Sequence, residues 1–369
     1  MKAEQVLQGW SCIEALLPEG WEALADEHEL LETKYGNAKI KTASELMRFL
    51  LVHTVADLPL RQTVALVAES GGPDISHVVL SKRLIRAEEY LHELVGRMLG
   101  PAVGNATAET WAGYDVCAVD ATMGCRPGSL CGDVRMHTLL RVAEMRYVQI
   151  EVTSLKEGES LLRYDAQPGM LIVGDRGYCQ AAGIVRTVEK GADVLIRLNR
   201  GSIVLDRPDG TTFDVLPWLR QLDGHRAGEQ RVVIDWTDAD KQMHRIEARV
   251  CAARLPAREA EKARQRLRKE QGADVSKESL EAAGYVAVIT TAPAARLSAS
   301  RCIELYRLRW QIELLFKRWK SLLGFDRIPN YREDAIRAWL YGKLLAAMLL
   351  ERLASPEGEF SPHSDERAA

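Results

Sequence analysis

The chain lacks a charge bias: 49 Lys and Arg stand against 52 Asp and Glu, a formal net charge of −3. Bulk positive charge therefore cannot be what attracts a nucleic acid, and any basic surface has to come from distribution. No signal peptide is recognisable and no apolar run is long enough to span a bilayer, so the expectation is a cytoplasmic protein with no membrane partner. Seven cysteines at irregular spacing give no disulfide framework and suit a reducing compartment. Cys125 and Cys131, with His137 nearby, have neither the spacing of a zinc knuckle nor a fourth ligand. With 369 residues, 47% of them apolar, the chain can bury a sizeable core across about two or three structural units.

Charge is unevenly placed. The first 35 residues carry eight acids against Lys2 and Lys34, whereas residues 301–345 carry ten Lys or Arg against five acids. Inside that basic stretch Tyr306, Arg309, Glu313 and Lys320 follow one another at offsets of three, seven and fourteen. On a helix these four fall within an arc of roughly 60°, and Leu305, Leu308, Ile312, Leu315, Trp319 and Leu322 form an apolar arc beside them. A carboxylate flanked by cations and a phenol suits chemistry on a phosphate: the acid can hold a metal ion while Arg and Lys bind anionic oxygens. An amphipathic helix with solvated charges has the same spacing, so this face alone decides nothing.

Two aspartates upstream add weight. Asp120 closes the apolar stretch Val116 to Val119, where a buried strand is expected to stop. Asp175 closes Met170 to Gly174, again of strand length, and is followed by the turn glycine Gly177. Either acid alone could be an ordinary turn or capping residue. Three clustered carboxylates repel one another and need compensating cations. Hard oxygen ligands favour Mg²⁺ or Mn²⁺ over Zn²⁺.

On these residues the chain resembles the DDE transposases of bacterial insertion sequences, specifically insertion-sequence family four. That family's signature of Tyr, Arg, Glu and Lys is matched without a gap by Tyr306, Arg309, Glu313 and Lys320. The Val-Asp-Ala-Thr around Asp120 and the Asp-Arg-Gly-Tyr from Asp175 to Tyr178 look like its first and second acidic motifs. The resemblance runs from about residue 45 to 345. It implies that Asp120, Asp175 and Glu313 are a catalytic, metal-binding triad loaded with Mg²⁺, for which Mn²⁺ would substitute. It also implies that Tyr306, Arg309 and Lys320 contact transposon-end DNA. Cut-and-paste transposition by two-metal phosphoryl transfer, acting on double-stranded transposon ends and target DNA in a homodimer, is the implied function, with a hairpin intermediate on the transposon end. The bacterial enzyme would associate with the nucleoid when bound to DNA. A catalytically inactive transposase-derived DNA-binding protein and a ribonuclease-H-like nuclease are the alternatives; dependence on terminal repeats separates them.

The expected fold is α/β: a ribonuclease-H-like catalytic core, interrupted by a β-rich insertion subdomain and preceded by a helical N-terminal domain. Residues 1–105 read as the helical DNA-binding region. A helix is expected over Leu60 to Glu69, a turn at Gly71-Gly72-Pro73-Asp74, and a second, basic helix over Ser76 to Leu99 bearing Lys82, Arg83 and Arg86 as DNA contacts. Residues 114–200 and 284–353 read as the catalytic core, and 201–283 as the insertion ending in a charged helix. Residues 355–369 read as a disordered tail. Arg176, next to Asp175, is a further candidate DNA contact. Trp218 and Trp236 on the insertion could stack on an extruded base, although packing roles suit them better.

Overall fold

The computed structural model describes residues 3–31, 39–99, 112–125, 134–143, 146–222, 224, 226–272, 275–309, 314, 328 and 333–354. Glu313, Lys320, Cys131, Trp310, Trp319 and the tail beyond Ser355 lie outside these residues.

The chain begins with short helices α1 (Ala3–Gln8), α2 (Trp10–Glu14) and α3 (Trp21–Glu27), then α4 (Ala43–Ala56). Thr42 starts α4 with a capping box: its side chain accepts from the Glu45 amide at 3.1 Å while the Glu45 carboxylate accepts from the Thr42 amide. After α5 (Leu60–Glu69) the backbone turns through Gly71 at φ +83°, a conformation that costs glycine little. The single helix expected over Ser76 to Leu99 is two, α6 (His77–Arg86), capped by Ser76, and α7 (Glu88–Leu99). They part at Ala87, whose amide is shared between the Arg83 and Leu84 carbonyls.

Eight strands follow: β1 (Asp115–Gly124), β2 (Val134–Arg141), β3 (Arg146–Ser154), β4 (Met170–Gly174), β5 (Asp193–Arg197), β6 (Gly228–Thr237), β7 (Met243–Arg254) and β8 (Tyr285–Thr290). They form one sheet in the order β3-β2-β1-β4-β5-β8-β7-β6. β1, β2 and β3 make an antiparallel meander; β1, β4 and β5 run parallel; β8, β7 and β6 continue antiparallel. The three antiparallel strands joined to a parallel pair are the ribonuclease-H-like order expected of the core. The β-rich insertion is built onto that sheet, because its strand β7 pairs with β8 from Arg249 to Arg254. The helices α8 (Ala181–Glu189), α9 (Val215–Arg220), α10 (Ala257–Gln271), α11 (Lys277–Ala282), α12 (Ala299–Tyr306) and α13 (Glu333–Ala354) complete the described elements.

Alternation along the strands sorts side chains onto two faces with separate cores. Val116 and Ala118 of β1, Leu171 and Val173 of β4, and Leu195 of β5 pack with the N-terminal helices, α12 and α13. Cys117, Val119, Ile172, Val194 and Ile196 pack on the opposite face with residues of α8, α9, β6 and β7. The first core holds α13 at its centre, where Trp339, Leu344, Leu345 and Leu349 are fully buried. None of the described helices is long and apolar enough to cross a membrane.

Candidate active site

The parallel ladder between β1 and β4 ends at the pair Ala118 and Val173. Asp120 and Asp175 each stand two residues further on, so both inherit the face of Ala118 and Val173, on strands about 5 Å apart. Strand β1 does not stop at Asp120, as the apolar run suggested; it continues to Gly124, paired to β2 throughout. What stops is its pairing to β4, which frees Asp120 on that side. Asp175 leaves β4 and caps a 3₁₀ turn, Arg176–Tyr178, with Oδ1 accepting from the Gly177 amide at 2.8 Å. Asp120 Oδ1 accepts from the Ala121 amide at 2.9 Å. Asp175 thus plays the capping role any aspartate could, Asp120 in mid-strand does not, and each has one oxygen occupied by a backbone amide.

The other oxygen of Asp120 faces α12's end. Helix α12 tightens into a 3₁₀ turn over Arg307–Arg309. Residues three apart eclipse in such a turn, so Arg309 stays beneath Tyr306, and Arg309 Nη1 lies 3.7 Å from Asp120 Oδ2. Burial pushes the Asp120 carboxyl up to about 7; the Ala121 amide and Arg309 pull against this, while the negative charges of Asp175 and Glu159 add to it. Beneath the site, the Tyr164 hydroxyl meets that of Tyr178 at 3.2 Å and reaches the Asp120 carbonyl at 3.5 Å.

Two site residues escaped sequence reasoning. Arg197 ends β5 on the same sheet face as Leu195; its guanidinium sits 5.9 Å above the Tyr306 ring and donates to the Tyr285 carbonyl at 3.0 Å. Burial lowers its pKa to about 10, with Tyr306 opposing and Arg176 and Arg309 reinforcing the fall. The register was the available signal: Arg197 follows Leu195 by two on a strand neighbouring Asp175's. Glu159, in the loop after β3, is the second; nothing in its spacing marks it.

Beside Asp175 a cleft of about 580 Å³ opens, with Arg176, Arg197 and Arg200 on its polar side and Leu198, Ile203 and Phe213 among its apolar lining. Arg176 is exposed at its edge. Trp218 packs edge-on against Phe213 at 5.8 Å and Trp236 lies 5.2 Å from the His244 ring, so both are packing residues of the insertion.

In the helical pair, Lys82 and Arg86 are exposed, with Val78 and Val79 on the same helix also open to solvent. Arg83 requires a correction. It is 6% exposed, and its guanidinium donates to the Leu30 and Leu31 carbonyls, tying the α3 end onto α6. The reason is helical spacing, since Leu80, Arg83 and Leu84 share the packed face. Arg86, though exposed, donates to the Glu29 carbonyl at 2.5 Å.

Residues 149–349 match the family model described as Transposase DDE domain, a span that takes in Asp175, Tyr306, Arg309 and Glu313. The chain is 31% identical over 347 residues to the putative transposase InsL of insertion sequence element IS186A from Escherichia coli strain K12, covering 91% of this chain and 93% of that protein. Its identity to the transposase of insertion sequence element IS421 from Escherichia coli is also 31%, over 348 residues and the same shares of both chains. The transposase of IS231F from Bacillus thuringiensis subsp. israelensis is 29% identical over 202 residues, half of this chain and 41% of that one.

Proposed function

The chain belongs to the DDE transposase family of bacterial insertion sequences, and from that premise we propose that it binds the inverted terminal repeats of its own element, cleaves there and joins the ends to target DNA. The observation that carries this reading is the shared register of Asp120 and Asp175 on adjacent parallel strands, with Arg309 brought to Asp120 from the far end of the sequence.

The donor set fits a divalent cation. Asp120 and Asp175 bring hard oxygens to neighbouring strand ends, and burial together with the charges of Asp175 and Glu159 makes ionising Asp120 costly, a cost that a cation relieves. Asp120 and Asp175, with Glu313 as third member, would hold Mg²⁺ or Mn²⁺. When bound, a pair of such ions lowers the cost of charge on the attacking and departing oxygens of a phosphodiester. The side chains do the rest. Tyr306 and Arg309 are set to hold the scissile phosphate against Asp120, and Lys320 is given the same task by its position in the motif alone; Arg197 and Arg176 give anionic oxygens of the flanking strand a rigid and an exposed partner respectively. Buried Tyr164, held by Tyr178, reaches the Asp120 carbonyl and steadies the backbone beneath that acid. Neither hydrolytic nicking nor strand transfer needs a covalent enzyme intermediate here, because water or a DNA 3′-hydroxyl supplies the nucleophile.

Lys82 and Arg86 on α6 are set to track the backbone of the end sequence, and two chains would hold two ends together. The reading is tested by incubating the purified chain with Mg²⁺ and linear DNA bearing the repeats that flank its coding region. Cleavage at the repeat boundary, lost when the repeats are scrambled, is the expected result. Equal cleavage of scrambled DNA would replace the reading with that of a general nuclease.

A further inference from the structure

Helix α10 is the charged end of the insertion, and the chemistry at Asp120 and Asp175 makes no use of it. Over Ala257–Gln271 it carries six Lys or Arg against three Glu, in a chain whose net charge is −3. Arg258, Lys262, Arg266 and Lys269 follow at steps of four, four and three, which gathers them into an arc of about 80° along about 16 Å of helix axis. All four are exposed. Lys262 meets Glu259 at 3.0 Å in a pair open to solvent on both sides, while Arg258, Arg266 and Lys269 make no hydrogen bond or ion pair among the described residues. Glu261, on the flank of the row, lies 3.5 Å from both Arg264 and Arg268, so its charge is already met.

The opposite side of the helix is pinned. Ala260 is 5% exposed, Arg264 Nε donates to the Leu280 carbonyl of α11 at 3.2 Å, and Leu267 lines the cleft that also holds Arg176 and Arg197. The row is therefore held towards solvent by a helix that forms one wall of the cleft beside Asp175. Leu198, Phe213 and Leu219 of that cleft belong to one core. Helix α6, with Lys82 and Arg86, packs through Leu80 and Leu84 into the other. The sheet stands between the two basic helices.

We propose that the exposed face of α10 grips the backbone of target DNA, as a duplex-binding surface separate from the α6 surface that meets the element's own ends. The inference rests on the proposed joining of those ends to target DNA. A row of cations of this length spans about five base steps of one strand. It neutralises phosphates without reading bases, which is what a duplex chosen without repeats requires. The amide beside the row, Gln265, donates to the Glu261 carboxylate at 3.4 Å instead of standing ready for a base edge. Because Leu267 and Arg176 line one cleft, a duplex lying along α10 passes beside the proposed catalytic acids.

The test uses the full chain carrying Arg258→Gln, Lys262→Gln, Arg266→Gln and Lys269→Gln together, substitutions that keep helix propensity. Fluorescence anisotropy with a labelled repeat-free duplex is expected to show at least about ten-fold weaker binding, and a slope of log affinity against log salt lower by about three. Arg268→Gln, off the row, is expected to leave the slope unchanged; an equal fall per charge removed there overturns the assignment to this face. In Mg²⁺ the four-fold variant is expected to cleave end-bearing DNA within a few-fold of wild type. Its joining of ends to a target plasmid should fall at least about ten-fold and recover as target concentration rises. Should circular dichroism show the variant melting below wild type, the pair Arg258→Gln with Lys269→Gln replaces it, with about half the change in slope expected. Unchanged binding of repeat-free duplex and unchanged joining overturn the inference and leave the proposed function intact. Loss of end cleavage in step with joining assigns α10 to the ends, and also overturns it. A wild-type chain that cuts scrambled and end-bearing DNA equally removes the proposed function, and this inference with it.

Discussion

Arg309 Nη1 lies 3.7 Å from Asp120 Oδ2, although the two residues belong to opposite ends of the core. At that distance the pair is a loose contact between half-buried partners. Arg309→Ala is expected to weaken binding of cleaved-end DNA about ten-fold and to lower the slope of log affinity against log salt by about one. Titrations by fluorescence anisotropy at several salt concentrations check both. An unchanged slope would return Arg309 to a purely structural partner of Asp120.

The raised Asp120 carboxyl has a consequence for the cation-free protein. Its folded pKa, about 7, exceeds the ordinary carboxylate value of 3.8. Between those values the unfolded chain ionises while the folded one does not, so this group's contribution falls as pH rises and is fully lost above about 7. Asp120→Asn removes the penalty. It should be more stable than wild type by about 2–4 kcal/mol at pH 8 in chelator, with the advantage vanishing towards pH 4. Urea unfolding at the two pH values measures it.

His137 carries the opposite sign. It is 1% exposed, its Nε2 meets Thr153 Oγ1 at 3.0 Å, and burial lowers its pKa to about 4, with Arg163 and Arg135 adding to the fall. It folds neutral, so protonation of the unfolded chain costs stability as pH drops from about 6.5 towards 4. His53, also 1% exposed and lowered to about 4, behaves alike. His137→Gln should lose about 2 kcal/mol less than wild type between pH 7 and pH 5, read from urea midpoints at each pH.

Lys343 of α13 is 1% exposed and meets the Asp57 carboxylate at 2.6 Å, with its Nζ 4.7 Å from the Trp339 ring centre. Asp57 has φ +52°, which asparagine also tolerates. Asp57→Asn should therefore act through charge alone and destabilise by about 2–3 kcal/mol, the pair's half-exposed partner keeping the cost at the low end. Lys343→Met should stay within about 1 kcal/mol of wild type. Thermal melts of both variants decide whether the pair stabilises α13 or merely satisfies a buried amine.

Much of the fold could be read from periodicity. The run Met170–Gly174 and the helix Leu60–Glu69 stand where their patterns put them, because each is bounded by turn chemistry and buries a regular stripe. Asp120 and Asp175 were legible as acids closing apolar runs, but their common register was not. Register is a pairing of distant residues, and no local pattern encodes it. The insertion's alternating strands were legible; that they extend the core sheet beside β8 depends on which edge was open. Arg83 shows the opposite failure: its charge suggested surface, while its spacing to Leu80 and Leu84 placed it inward. Glu159 was invisible, since only the fold brings its loop over Gly177.

The central claim is that Asp120 and Asp175, from separate strands, act as one cation-dependent site. Single-turnover cleavage of end-bearing DNA in Mg²⁺, with end binding measured in parallel by gel shift, tests it most directly. Asp120→Asn and Asp175→Asn are each expected to cut at least about a thousand-fold more slowly while binding the ends within a few-fold of wild type, and the double variant should be no worse than either single one. Mg²⁺-dependent cleavage near the wild-type rate in either single variant would contradict it.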